Sequence, residues 1–182
     1  MAPRAPRADA LRNRARILAA AREAFAHDGV DVPLDAVAER AGVGAGTVHR
    51  HFPTKEALVT AVIADRLDRL ADRAAEFDGA DPVGDFFAFL AELTDSARDN
   101  LALASALDGT FGTEGEASAA RLAAALESLL AAAQRAGGVR RDVTAAELHA
   151  ILSGVLAAEG RLPPARRGLG LEIAVAGLRS PG

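Results

Sequence analysis

Apolar positions recur at helical spacing along nearly the whole chain, and the interruptions divide it into short and long segments. Over residues 9–27, Leu11, Leu18, Ala21 and Phe25 mark one stripe, with Arg12, Arg16 and Arg22 on outward faces and Asp28-Gly29 closing the segment. Leu34, Val37, Ala38 and Ala41 then fall at i, i+3, i+4 and i+7, which predicts a short helix over 34–41. Gly42 stands where that helix must stop, because glycine enters the left-handed region without steric cost, and Val43 follows as an apolar plug. Val48 and Phe52 share one face of a second short helix near 45–52. Pro53 ends that helix by restricting the residue before it. Thr54 is placed to cap the next helix, with Lys55 in its first turn. Phe25 is expected to pack beneath Val37, Val48 and Phe52, giving a three-helix head.

The remaining segments are longer. From Lys55 to Phe77, the residues Leu58, Val62, Ile63, Leu67, Leu70, Ala74 and Phe77 keep helical spacing, and Asp78-Gly79 ends the run. Asp81-Pro82, a cap followed by proline at the first helical position, opens a fifth helix to about Arg98. Phe86, Phe87 and Phe89 make it the richest aromatic cluster in the chain. A short sixth helix is expected over Leu101–Leu107 and a Gly-rich loop over 108–115. A seventh spans 116–136 and ends at Gly137-Gly138. Thr144-Ala145-Ala146-Glu147 is a capping box for an eighth helix reaching Glu159. Pro163-Pro164 opens a ninth, to Leu178, which contains Gly168, Gly170 and Gly177. The expected fold is therefore all-α: a three-helix helix-turn-helix head over 1–54 and a helical bundle over 55–182, about nine helices in total.

Composition agrees with that reading and narrows the chemistry. Half of the 182 residues are hydrophobic, alanine is abundant, and aromatics are limited to seven Phe. No cysteine is present, which excludes disulfides, thiolate catalysis and Cys-ligated zinc and fits a reducing cytoplasm. No apolar run reaches the 18 or so residues of a membrane span, and no secretion signal follows Arg4 and Arg7. Net charge is −4, yet it is unevenly spread. Residues 1–57 carry nine Lys+Arg and seven Asp+Glu, whereas the remainder carries twelve and eighteen. Residues 1–8 read as a basic, disordered arm. Basic charge thus gathers near the two short helices, where a local excess matters more than the total.

The surface of the second short helix suits DNA. Gly44, Ala45 and Gly46 give a helix start almost free of side-chain bulk, whose amides and dipole favour an anion. Thr47 is short enough to meet a base edge with its hydroxyl or methyl. His49, Arg50 and His51 take the remaining faces, and His49, His51 and Lys55 are placed to donate to phosphates, contacts that position without reading sequence.

The segment from Ala38 to Leu58 resembles the signature of the TetR family of bacterial transcriptional regulators, without a gap, in a match covering roughly residues 9–60. Two positions depart from the pattern. His49 stands where the family usually has a phosphate-contacting Tyr, and imidazole donates more strongly when protonated. Val32-Pro33 stands where the family often has Thr or Ser as a cap. The resemblance implies a homodimer on a near-palindromic double-stranded operator, acting as a repressor released by a small-molecule effector. The effector would shift the fourth helix so that the two reading helices no longer match adjacent major grooves.

Phe86, Phe87 and Phe89 read first as core; helix bundles also host ligands between helices, and on that reading the effector pocket falls to Phe86, Phe89, Leu93, Phe111 and Leu126. The dimer interface falls to Leu148, Ile151, Leu152, Val155, Gly168 and Leu171 on the last two helices, where small residues let axes approach. His149 beside that stripe reads as partly buried or at the interface. An enzyme is not expected. His49 and His51 are two apart and do not face each other on a helix, and neither His-Glu-x-x-His nor Gly-x-Ser-x-Gly occurs. No metal or cofactor is called for. The alternative is a helical scaffold or interaction module that has lost DNA binding, distinguishable by the salt dependence of duplex binding.

Overall fold

A computed structural model describes residues 6–105, 112–159, 161–166 and 168–180. They form eight α-helices: α1 (Pro6–Asp28), α2 (Leu34–Ala41), α3 (Ala45–His51), α4 (Lys55–Ala75), α5 (Pro82–Ser105), α6 (Gly112–Arg135), α7 (Ala145–Glu159) and α8 (Leu169–Leu178), with a 3-10 turn, Pro164–Arg166, before α8. No strand occurs among the described residues, so the all-α expectation holds. The described residues fall into two compact units, one within Met1–Asp65 and Ala102–Glu116, the other within Arg66–Leu101 and Ala117–Gly182. Helix α4 contributes its first half to one and its second half to the other.

In the first unit, α1 packs on α2 and α2 on α3. Ile17, Leu18, Ala21, Ala24 and Phe25 of α1 are buried together with Val37, Ala38, Ala41, Val48 and Phe52. The buried stripe of α1 begins only at Ile17, so Leu11, placed on it from the sequence, is 69% exposed. Arg22 does not face solvent freely as expected: its Nη1 meets Asp65 Oδ2 at 2.5 Å, and both side chains are about three-quarters buried. The helix also starts earlier than expected. Pro6 opens it, since proline already has a helical φ and lacks only an amide that the first turn would leave unused. Of the basic arm, residues 1–5 lie outside the described part.

The second unit has its own core, built on Phe86, Phe89, Leu90, Leu122, Leu126, Leu130, Leu148 and Leu152, with Ala71 and Ala74 of α4 against it. Polar contacts bind α4 to its neighbours: Arg73 Nε to Glu92 Oε2 at 3.1 Å, Arg66 Nε to Ser96 Oγ at 2.7 Å, and Arg121 of α6 to Asp68 and Asp72. The anticipated caps are present. Asp81 Oδ1 accepts from the Gly84 amide at 2.9 Å. Thr144 and Glu147 form a reciprocal box, with Thr144 N to Glu147 Oε2 at 2.8 Å and Glu147 N to Thr144 Oγ1 at 3.3 Å. Those bonds hold the Glu147 carboxyl below its ordinary range.

Three elements differ from the sequence reading. Helix α5 continues to Ser105, so Leu101 opens no separate sixth helix; no proline or glycine intervenes to stop it. Residues 112–115 are the first turn of α6 rather than loop, because the roughly 1 kcal/mol cost of a helical glycine is small beside a long Ala/Leu-rich helix. The ninth helix is broken: Gly168 adopts φ 100°, a left-handed conformation, and precedes α8 instead of lying in it.

Candidate nucleic-acid interface

The turn between α2 and α3 is built on Gly42 at φ 62°, whose amide reaches Glu39 O at 3.0 Å while Val43 N reaches Ala38 O at 3.1 Å. That pair of bonds ties off the carbonyls of α2 and sets the angle at which α3 leaves. Arg16 crosses from α1 and donates Nη2 to the Gly42 carbonyl at 3.2 Å. A Cβ at Gly42 would lie 2.8 Å from that nitrogen and displace the Arg16 guanidinium, but it is the left-handed φ that favours glycine there.

Helix α3 is two turns long. Val48 is fully buried and Phe52, just past its end, nearly so, which fixes the rotation of the helix. Gly44, Ala45, Gly46, His49 and Arg50 are consequently exposed, and Thr47 and His51 half-buried. A Cβ at Gly44 or Gly46 would meet nothing within 4 Å, so no neighbour in the chain accounts for either glycine. Pro33 and Gly44 precede α2 and α3 without a side-chain cap, as expected for Val32-Pro33. The Gly44 carbonyl takes the amides of Thr47 and Val48, at 2.8 and 3.3 Å, so an anion at this helix start is left the amides of Ala45 and Gly46.

The basic groups of this face are held in place by partners. Arg50 folds back along α3, Nε to Gly46 O at 3.0 Å and Nη2 to Thr47 Oγ1 at 3.3 Å. Lys55 Nζ lies 3.4 Å from Asp31 Oδ1, and His49 Nε2 lies 3.7 Å from Asp35 Oδ1. Arg40 meets Asp28 at 2.5 Å, and His27 and Arg40 together hold the Asp28 carboxyl below its ordinary value. His51 tilts against the Phe52 ring, centroids 6.2 Å apart. Thr54 caps α4 as expected, its Oγ1 accepting from Ala57 N at 3.2 Å. Asp31 and Asp35 were not singled out from the sequence. They lie 24 and 14 residues from their partners, and no local pattern signals such pairs.

The other expected site residues are placed as follows. Phe86, Phe89 and Leu126 are buried in the core of the second unit, with Leu93 packed against it; Phe111 lies outside the described residues. An open cleft of about 380 Å³ in that unit has a different lining, including Phe77, Asp78 and Asp85. Leu148 and Leu152 are likewise core, and Leu171 packs against it, whereas Ile151 is 43% exposed and Val155 half-buried. His149, expected to be partly buried or at the interface, is exposed in the single chain.

Two short helices around a left-handed glycine, braced by a third and presenting a bare face with donors beside it, define a helix-turn-helix DNA-binding head. Residues 17–62 match the family model described as "Bacterial regulatory proteins, tetR family", and residues 81–180 match "Transcriptional regulator SbtR-like, C-terminal domain". The chain belongs to the TetR family of bacterial transcriptional regulators. A TetR transcription regulatory protein from Mycobacterium vanbaalenii is 43% identical over 95% of this chain and 98% of its own, with a TM-score of 0.73. A TetR transcriptional regulator from Streptomyces coelicolor is 32% identical over 93% and 99%, with a TM-score of 0.71. The HTH-type transcriptional repressor KstR of Rhodococcus jostii is 31% identical over 80 residues, 44% of this chain. The match spans 38% of that repressor, less than half its length. No helix among the described residues is long and apolar enough to cross a membrane.

Proposed function

We propose that the protein is a homodimeric repressor of a near-palindromic operator, which it leaves when a small molecule binds in the second unit. The observation that carries the DNA half is the bare start of α3. Gly46 weakens a two-turn helix although a Cβ there would meet nothing, Gly44 caps the helix without a side chain, and both make sense if a DNA backbone approaches there. Thr47 and Arg50 then face base edges, and His49, His51 and Lys55 face phosphates. KstR is itself a repressor, which supports the negative sign of regulation.

The outer side of α7 and α8 supports the dimer. Leu148, Leu152 and Leu178 are turned into the chain's own core, yet Ile151 and Ile173 remain 43% and 65% exposed. Gly154 and Gly177 would accept a Cβ without meeting anything within 4 Å. Apolar side chains beside unexplained glycines suit close approach of a second copy of the same helices, and two-fold pairing places two heads on two half-sites. Helix α4, which contributes to both units, is the element through which an effector would act on the head. Val155→Glu, placing two charges in one symmetric contact, is expected to yield a folded monomer in sedimentation at micromolar concentration, with much weaker operator binding. A folded Val155→Glu protein that remains a tight dimer would place the interface elsewhere.

A further inference from the structure

The cleft of about 380 Å³ in the second unit lies where the C-terminal end of α4, the link to α5, the start of α5 and the middle of α6 meet. Its walls are mostly apolar, with Ala74 and Phe77 on one side and Leu129 and Ala132 on the other. Ser128 and two carboxylates, Asp78 and Asp85, break that lining, and no Lys, Arg or His joins them among the described residues. Asp78 is partly satisfied, Oδ1 accepting from the Ala80 amide at 2.9 Å. Asp85 is not: its Oδ2 is buried and has no hydrogen-bond partner. Arg73, whose guanidinium lies 4.6 Å from the Phe77 ring centre, is committed to Glu92 and Glu76, which raise its pKa above the ordinary arginine value.

A carboxylate with one buried oxygen lacking a donor is under-solvated, and because its charge is shared by both oxygens a cation beside the accessible one offsets part of that loss. Rotation about the Asp Cβ–Cγ bond is soft but only exchanges the two oxygens, so a donor in the cleft meets the oxygen that faces it while the other stays within the wall. The charged side chains that line the cleft are both acidic, and most of the remaining lining is apolar. Anions are disfavoured there, and neutral molecules leave Asp85 without a charged partner. We propose that this cleft binds a small organic cation, an ammonium group on a compact apolar body, with Asp85 as the counter-ion and Phe77 and Leu129 against the body. The proposal rests on the effector-responsive reading above and gives it a site and a ligand class. It also places the ligand against Ala74, on the same helix whose start carries Lys55.

The test titrates the full chain, by calorimetry at neutral pH, with three probes of one shape: 4-phenylbutylamine, 4-phenylbutanol and 4-phenylbutyrate. The amine is expected to bind at least about tenfold more tightly than the alcohol, because its hydrogen bond to Asp85 is charge-assisted, with the carboxylate weakest. Asp85→Asn should erase the preference for the amine while leaving the alcohol's affinity and the melting temperature near those of the parent. Ala75→Trp, at an exposed position of the rim, should block all three probes. Equal binding of amine and alcohol, undiminished amine binding by Asp85→Asn, or no amine binding at millimolar concentration would each overturn the proposal. Operator release is read separately. An amine that binds through Asp85 without releasing DNA keeps the site and removes the effector reading. Release by a neutral or anionic molecule, with no amine binding, does the reverse.

Discussion

The Arg50 guanidinium donates to the Thr47 hydroxyl at 3.3 Å and to the Gly46 carbonyl at 3.0 Å, so the residue expected to read a base is held by the next turn of its own helix. Thr47→Ala should lower discrimination between the preferred duplex and a single-base variant by about 1 kcal/mol, the worth of one hydrogen bond. Arg50→Lys should also lower it, because lysine keeps the charge and loses the planar fork. Lys55→Ala should instead weaken all duplexes alike and reduce the slope of log affinity against log salt by about one. Fluorescence anisotropy at several salt concentrations separates the two behaviours. A Lys55→Ala protein that chose a different duplex with an unchanged slope would overturn its role as a phosphate contact.

Asp31 and Asp35 lie 3.4 and 3.7 Å from Lys55 and His49, and on the proposed reading they would compete with DNA for those two groups. Asp31 is fully exposed, so its attraction for Lys55 is weak and its removal harmless to the fold. Asp31→Asn and Asp35→Asn should each tighten duplex binding at low salt, by about 0.3–1 kcal/mol, with the gain shrinking as salt rises. Unchanged or weaker binding by both variants would show that these carboxylates do not compete with DNA.

Gly46 sits in an exposed, helical position with open space where a Cβ would go. Gly46→Ala should therefore stabilise the head by about 0.4–1 kcal/mol, read as a higher denaturation midpoint. The same methyl should weaken DNA binding by intruding on the backbone approach. Opposite signs for stability and binding are what a functional glycine requires. Tighter or equal binding by Gly46→Ala would indicate that the bare surface has no bearing on DNA.

Asp142 is held down at about 2 by the Arg140 fork, with Nε and Nη2 each 2.6 Å from a carboxylate oxygen. Arg140 also reaches toward α8, its amide donating to Leu178 O at 3.0 Å. A carboxyl with a lowered folded-state pKa stabilises the protein above the ordinary value of 3.8, and that stabilisation disappears as pH falls toward 2. The parent should thus melt slightly above Asp142→Asn at pH 5, and the two curves should converge on acidification. The gap is small because the pair is exposed. A gap that widened below pH 4 would contradict the assignment.

Local chemistry was the legible part of this chain. Gly42, Thr54, Asp81-Pro82 and the Thr144/Glu147 box act within four residues, and the structure places each where sequence spacing put it. The orientation of α3 followed from Val48 and Phe52 for the same reason. Relationships between distant segments were not legible. Asp31 and Lys55, or Arg22 and Asp65, are joined only by tertiary packing. Phe86 and Phe89, read from the sequence first as core and only second as pocket lining, do fill the core, and the open cleft lies beside Phe77, whose ring meets Phe89 edge-on at 6.3 Å. Glycines in the last helices looked alike in sequence, yet Gly168 takes a left-handed φ that Gly177 does not.

The central claim is that α3 reads a specific duplex while basic groups around it hold the backbone. The direct test selects duplexes from a random pool with the full-length protein, then measures binding of the selected duplex and a scrambled control across a salt series. A near-palindromic sequence should emerge, bound at least about a thousandfold more tightly than the control at physiological salt, with affinity falling steeply as salt rises. Failure to enrich any sequence, or binding that is indifferent to salt, would contradict the account.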